Sequence, residues 1–188
     1  MIYNLTAFRA ESRKIVDHLC ETGHKKIAIL ASDKKDENIG KLRLEGYREA
    51  LKAHGLEVDE ERICYLDEED TTYSMENGYR MMKKLLKKET EFTAVFAISD
   101  LMVIGACKAL LEEGKRIPED VAVAGVGGLE YTGFFLPAVT TIAPPGGEIA
   151  RQSGGGLVCM VEKKKKKEGE KISATPKERK KNKGGGRK

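Results

Sequence analysis

The chain of 188 residues has no apolar run approaching the length of a membrane span. Its first residues, MIYNLTAFRAESRK, lack the apolar core of a signal peptide. These absences give the expectation of a soluble, cytoplasmic protein with no membrane partner. Cysteine is scarce and scattered: Cys20, Cys64, Cys107 and Cys159 form neither a C-x-x-C pair nor a dense framework, so reduced, buried thiols are expected rather than bridges. The three histidines, His18, His24 and His54, include no close-spaced pair, which argues against a metal centre. The acidic run DEED at 67–70 offers oxygen ligands for a divalent cation, but reads chiefly as a solvated loop end. No G-K-S/T occurs, which removes a Walker loop, and Arg151 stands where a G-x-S-x-G elbow around Ser153 needs its first glycine. With no cofactor loop and no nucleophile beside a base, the chain does not read as an enzyme.

What the chain does have is enough apolar residues, 40% of the total, for one sizeable core or two small lobes. The formal charge of +4 is misleading about its surface. Residues 163–188 hold 13 Lys and Arg against 3 Asp and Glu, while the remainder holds 21 against 27. The folded part is therefore acidic, and the basic balance belongs to a low-complexity tail expected to be solvated and disordered, with counterion-driven contact to nucleic acid as the other reading.

Along the body, helical and strand patterns alternate. Residues 7–22 place Ile15, Val16, Leu19 and Cys20 on one helical face, and Gly23 ends the run. KIAILA (26–31) follows as a buried strand, then a helix over 39–55 with Leu44, Tyr47 and Leu51 as its stripe. RICYL (62–66) is a second strand. A helix over 71–88 carries Met75, Tyr79, Met82, Leu85 and Leu86, with Thr71 or Thr72 as its N-cap. TAVFAIS (93–99), a helix over 101–114 and VAVAGV (121–126) complete the pattern. Such alternation predicts an α/β fold, a doubly wound parallel sheet with helices on both faces and ligands at the carboxyl ends of its strands. LEYTGFFLPAVTTIAPP (129–145) then carries a short turn of helix, an extended AVTTI and a double proline, and reads as a crossover between lobes. We divide the chain into an α/β lobe at 1–143, a helix at 144–162 interrupted by Gly154, Gly155 and Gly156, and the tail at 163–188.

The fourth strand ends in GVGG. A dinucleotide loop needs G-x-G-x-x-G, and although Gly125 and Gly127 fit, the last position is Glu130, a carboxylate that would repel phosphate. Asp100 directly follows the third strand and is placed either to orient a polar ligand or to cap the next helix. The residues leave both open.

Five phrases together resemble the sensing domain of the lactose-repressor family of bacterial transcription regulators: GHKKIA (23–28), RLEGYREAL (43–51), AVFAISDLMVIGA (94–106), RIPEDVAVAG (116–125) and PAVTTI (137–142). The resemblance spans roughly residues 13–150. It implies a periplasmic-binding-protein-like fold, mainly the C-terminal of two lobes, with a small sugar-like or nucleoside-like effector held between them, a homodimer, and operator DNA contacted through a helix-turn-helix module not found in this chain. By the same resemblance, Arg43 holds effector hydroxyls or a carboxylate, a task suited to its fork of donors. Tyr73 matches a ring that stacks on the effector, and Phe96 lies where some members place a ring against the ligand, with a core phenylalanine as the alternative. Ser99 and Asp100 occupy the polar pair after the third strand. Gly127 and Gly128 depart from the pattern, standing where the family has acidic or amide side chains that accept from ligand hydroxyls. The expectation is an effector-sensing domain that works by lobe closure; the alternative is a free-standing solute-binding protein of the same fold.

Overall fold

The computed structural model describes residues 6–68, 70, 72–88, 90–128, 139–143 and 175–177. Four helices and six strands alternate: α1 (Thr6–Glu21), β1 (Ile27–Ala31), α2 (Ile39–Ala53), β2 (Ile63–Tyr65), α3 (Met75–Leu86), β3 (Ala94–Ala97), α4 (Asp100–Glu112), β4 (Ala122–Val126), β5 (Thr140–Ala143) and β6 (Thr175–Lys177). The strand order is β2-β1-β3-β4-β5-β6. All pairings are parallel except that of β6 with β5. From β1 the chain winds outward to β2 and then back across to β3, so the order reverses between β1 and β3. That reversal is a topological switch point, where neighbouring connections leave on opposite faces and open a crevice at the carboxyl ends of the strands.

The central strands are buried on both faces: every residue of β1 and β3 is buried. Such strands read as unbroken apolar runs because helices cover both sides. Here α1 and α2 pack together as one layer and α3 and α4 as the other. Tyr47 on α2 lies wholly inside the core, and its hydroxyl is satisfied by donating to the Ile27 carbonyl at 2.8 Å. On the other face α3 and α4 approach closely enough that a Cβ at Gly105 would stand 1.9 Å from the Met75 carbonyl oxygen.

Three expectations are corrected. The N-cap of α3 is Ser74, whose Oγ accepts from the Asn77 amide at 3.1 Å; the helix starts too late for Thr72 to serve. Its buried face is Asn77, Gly78, Met81, Met82 and Leu85, whereas Met75 is 46% exposed, because the small residues at 78 and 105 let α3 turn that face onto α4. AVTTI is extended as expected, but it joins the sheet and is not only a crossover: Thr140–Ala143 is a fifth parallel strand, with Ala124, Gly125 and Val126 of β4 opposite Thr140, Thr141 and Ile142. The helix expected at 144–162 lies outside the described residues. Within the stretch read as tail, Thr175–Lys177 pairs with β5.

The cysteines expected as thiols are free where described, Cys64 and Cys107 buried and Cys20 partly so. Burial pushes the Cys107 thiol up to about 12, which leaves it protonated and inert. In the acidic loop, Asp67, Glu68 and Asp70 point to different cations, Lys84, Lys35 and Arg80. Among the described residues no group of three or more candidate ligands could hold a metal ion, and no helix is long and apolar enough to cross a membrane.

Candidate functional site

The carboxyl ends of β1, β3 and β4 bring the resembling positions into one region. Arg43 stands in the second turn of α2, on the β1 side of the switch point, and its Nη1 donates to the Ile98 carbonyl just past β3 at 2.6 Å. One guanidinium thus spans the strand reversal. The Phe8 ring of α1 lies 5.4 Å from the guanidinium carbon, within cation–π range. Burial pulls the Arg43 pKa down, and the charges of Glu11, Tyr73 and Asp100 push it back up. These three groups therefore face the same cation from α1, from the segment before α3, and from α4.

Tyr73 lies just before the Ser74 cap, so it is outside the helix and free to lean towards the loop after β1. Its hydroxyl donates to Asp36 Oδ2 at 2.9 Å. Burial first, and then this bond to a carboxylate, push its pKa up to about 12, so the phenol stays protonated and remains a donor. Asp36 also accepts from the Asn38 and Gly40 amides, at 2.8 and 3.0 Å, which fixes the carboxylate at the start of α2.

Of the two roles left open for position 100, the capping one falls to its neighbour Ser99. Ser99 is the N-cap of α4, its Oγ accepting from the Leu101 amide at 3.3 Å while its hydroxyl reaches the Tyr73 carbonyl at 3.5 Å. Asp100 is the first residue inside the helix, where a carboxylate is favoured by the helix dipole. It is 1% exposed, and Oδ1 accepts from the Thr141 hydroxyl at 2.6 Å. Phe96 sits within β3 with no exposed surface, in the core.

GVGG follows from Asp100. Gly127 has φ +149°, and a Cβ there would lie 2.9 Å from Asp100 Oδ2; a Cβ at Gly125 would lie 3.0 Å from Oδ1. Glycine at 127 gives the buried carboxylate its room, while glycine at 125 makes room first for the Val103 side chain, whose Cγ2 would stand 2.4 Å from a Cβ, and then for the carboxylate. The amides then bond across to β5: Gly127 donates to the Ile142 carbonyl at 3.0 Å, and Gly128, at φ +63°, to the Thr141 hydroxyl at 3.2 Å. Gly127 and Gly128 carry none of the polar side chains that the resemblance leads one to expect, and the space beside Gly127 holds the Asp100 carboxylate.

Reading the sequence missed Asp36, Thr141 and Glu11. Asp36 and Thr141 are set by the tertiary approach of loops distant in sequence, which no local pattern encodes. Glu11 did leave a signal, since it sits four residues before Ile15 on the apolar stripe of α1. A surface groove of about 690 Å³, lined by Lys25, Lys26, Phe92, Thr93 and Lys115 among others, lies at the amino ends of the strands, away from Arg43. Doubly wound sheets hold ligands at the opposite end, so the Arg43 region is the candidate site.

Comparison with known proteins identifies the family of this fold. A family model described as a periplasmic binding protein-like domain matches residues 16–180. The chain is 39% identical over 143 residues to the HTH-type transcriptional regulator CelR of Thermobifida fusca, covering 74% of this chain and 40% of that protein. Among solved structures, the Escherichia coli transcriptional repressor ascG superposes with a TM-score of 0.83 at 28% identity, over 92% of this chain and 61% of that one. A CelR–cellobiose complex superposes with a TM-score of 0.74 at 34% identity, over 85% and 47%. The chain thus spans about two fifths of the CelR sequence it matches. These relatives are transcription regulators and not enzymes, and the chain belongs to the periplasmic-binding-protein-like family, as the effector-binding domain of the lactose-repressor type.

Proposed function

We propose that this lobe senses a small sugar-like effector for a bacterial cytoplasmic transcription regulator, with operator DNA engaged by a helix-turn-helix module distinct from the lobe. The observation that carries the reading is Arg43 bridging the switch point to the Ile98 carbonyl, with the Tyr73 hydroxyl and the Asp100 carboxylate in electrostatic reach. Guanidinium, phenol and carboxylate around one crevice supply donors, an acceptor and a stacking ring, the set that recognises a polyhydroxylated ring. The cellobiose bound by CelR favours a sugar over a nucleoside as the first candidate. A thermal-shift screen of sugars and nucleosides, led by cellobiose, tests it: a saturable rise in melting temperature with at least one sugar is expected, and no response to any would sink the reading.

We also infer a homodimer formed through α3 and α4. Met75 and Leu111 are 46% and 45% exposed, and with Tyr79 and Ile104 they line a shallow groove of about 630 Å³. Glu76, Glu112 and Lys108 rim it. An apolar strip edged by both signs of charge is self-complementary under a two-fold axis.

A further inference from the structure

The apolar stripe of α1 runs through Ile15, Val16 and Leu19, and one turn earlier it continues with Glu11 and Ser12, which are 4% and 0% exposed. A carboxyl group adds nothing to packing there, and enclosing one without partners is costly. Yet Glu11 Oε2 is enclosed and accepts no hydrogen bond, and on the facing helix Arg43 Nε is enclosed and donates none. The two side chains sense each other's charge without either orphaned atom meeting a partner. Folded domains leave few such atoms unsatisfied, and those they leave call for a specific explanation. An enclosed acceptor beside an enclosed donor is what a hydroxyl completes, because a hydroxyl gives one hydrogen bond and takes others.

Resting on the effector reading above, we propose that Glu11 is a second anchor of the effector site, accepting from an effector hydroxyl that Arg43 contacts, and that it selects neutral sugars against their phosphorylated forms. Arg43 alone would attract a phosphate at least as strongly as a hydroxyl. A carboxylate beside it reverses that preference through repulsion, the usual route to rejecting a near-isostere. Desolvation raises the Glu11 pKa, and the charges that oppose that rise, Arg43 from α2 and Lys14 one turn along α1, are those that would hold the ionised form in place when a ligand hydroxyl donates to it. As α1 and α2 both pack on the Arg43 side of the sheet, the anchor stands on a rigid helix pair rather than on a loop.

The test uses the full chain and calorimetry with two matched pairs, cellobiose with cellobiose 6-phosphate and glucose with glucose 6-phosphate. The wild type is expected to bind a neutral member at least about tenfold more tightly than its phosphate, and Glu11→Gln to narrow that gap by about tenfold. Glu11→Leu separates a binding role from a structural one without any ligand. Removing an orphaned carboxyl kept for binding leaves the effector-free melting temperature unchanged or raised, whereas removing a structural anchor lowers it. Wild-type binding of a neutral sugar with an unaltered preference in Glu11→Gln, or a lowered melting temperature in Glu11→Leu, overturns the Glu11 assignment alone. If the wild type binds none of the four, the effector reading falls and this assignment with it.

Discussion

Thr141 of β5 donates its hydroxyl to Asp100 Oδ1 at 2.6 Å, and both side chains are buried. This bond ties the last parallel strand to the start of α4, and the same hydroxyl oxygen accepts from the Gly128 amide at 3.2 Å. One threonine therefore holds the carboxylate and the GVGG loop in mutual register. Thr141→Val keeps the shape and β propensity but removes both bonds. A buried charged acceptor deprived of a donor costs about 1–3 kcal/mol, and urea denaturation should show a loss of that size; an unchanged midpoint would mean the bond is not holding the two elements.

Arg43 is the residue on which the effector reading turns. Arg43→Ala should abolish the calorimetric response to any sugar the wild type binds, while cooperative unfolding persists. Arg43→Lys should recover little, since a lysine cannot both donate to Ile98 and present a planar fork to a hydroxyl pair. Retained affinity in the alanine variant would move the site elsewhere.

Restoring an acidic residue at the end of β4 should harm this chain. In Gly127→Asp the new Cβ meets Asp100 Oδ2 at 2.9 Å, at a φ of +149° that side chains rarely adopt, and brings a second carboxylate to a buried one. A destabilisation of about 2 kcal/mol or more is expected, measured by thermal melting. The double variant Gly127→Asp with Asp100→Asn should recover part of it by relieving the charge repulsion, and no recovery would show that backbone strain alone is at fault.

The dimer inference has its own test. Leu111→Glu places a charge in the exposed α3/α4 groove, where Leu111 supports no core. Sedimentation at fixed concentration should shift from dimer to monomer with the melting temperature of the monomer intact. A wild type that sediments as a monomer throughout would remove the inference.

The sheet was largely legible in the sequence because β1, β3 and β4 are covered on both faces, and such strands must be short and apolar throughout. The extended course of β5 was legible too but its membership of the sheet was not, since TTI is short and partly polar and its place is fixed by pairing with β4, a contact beyond local pattern. Arg43, Tyr73 and Ser99 were singled out through resemblance to known regulators, and Asp100 also by its place after the third strand; periodicity alone would have marked none of them as a site. The reason for GVGG was invisible from its own neighbourhood. Gly127 answers to Asp100 and Gly125 to Val103 and Asp100, residues more than 20 positions earlier. The helical stripe of α3 misled because small residues at 78 and 105 turned its face by a fraction of a turn, leaving Met75 outside.

Glu11 gives a prediction that needs no effector. Desolvation holds its carboxyl above the ordinary 4.5 in the folded chain, the nearby charges of Arg43 and Lys14 only partly opposing this. The folded state therefore holds that proton more tightly than the unfolded state, so Glu11 favours folding fully below the unfolded-state value. That contribution is lost as pH rises through the raised folded-state value. Glu91 and Glu113 work in the opposite sense, since Lys26 and Lys83 hold their carboxyls low and their contribution is lost as pH falls. Comparing Glu11→Gln with the wild type cancels those groups. Urea unfolding from about pH 4 to about pH 8 should show the variant gaining stability relative to the wild type as pH rises, because only the wild type must ionise a buried carboxyl. A difference that is flat, or that grows as pH falls, would mean the Glu11 carboxyl is solvated in the folded chain and does not form the enclosed face opposite Arg43.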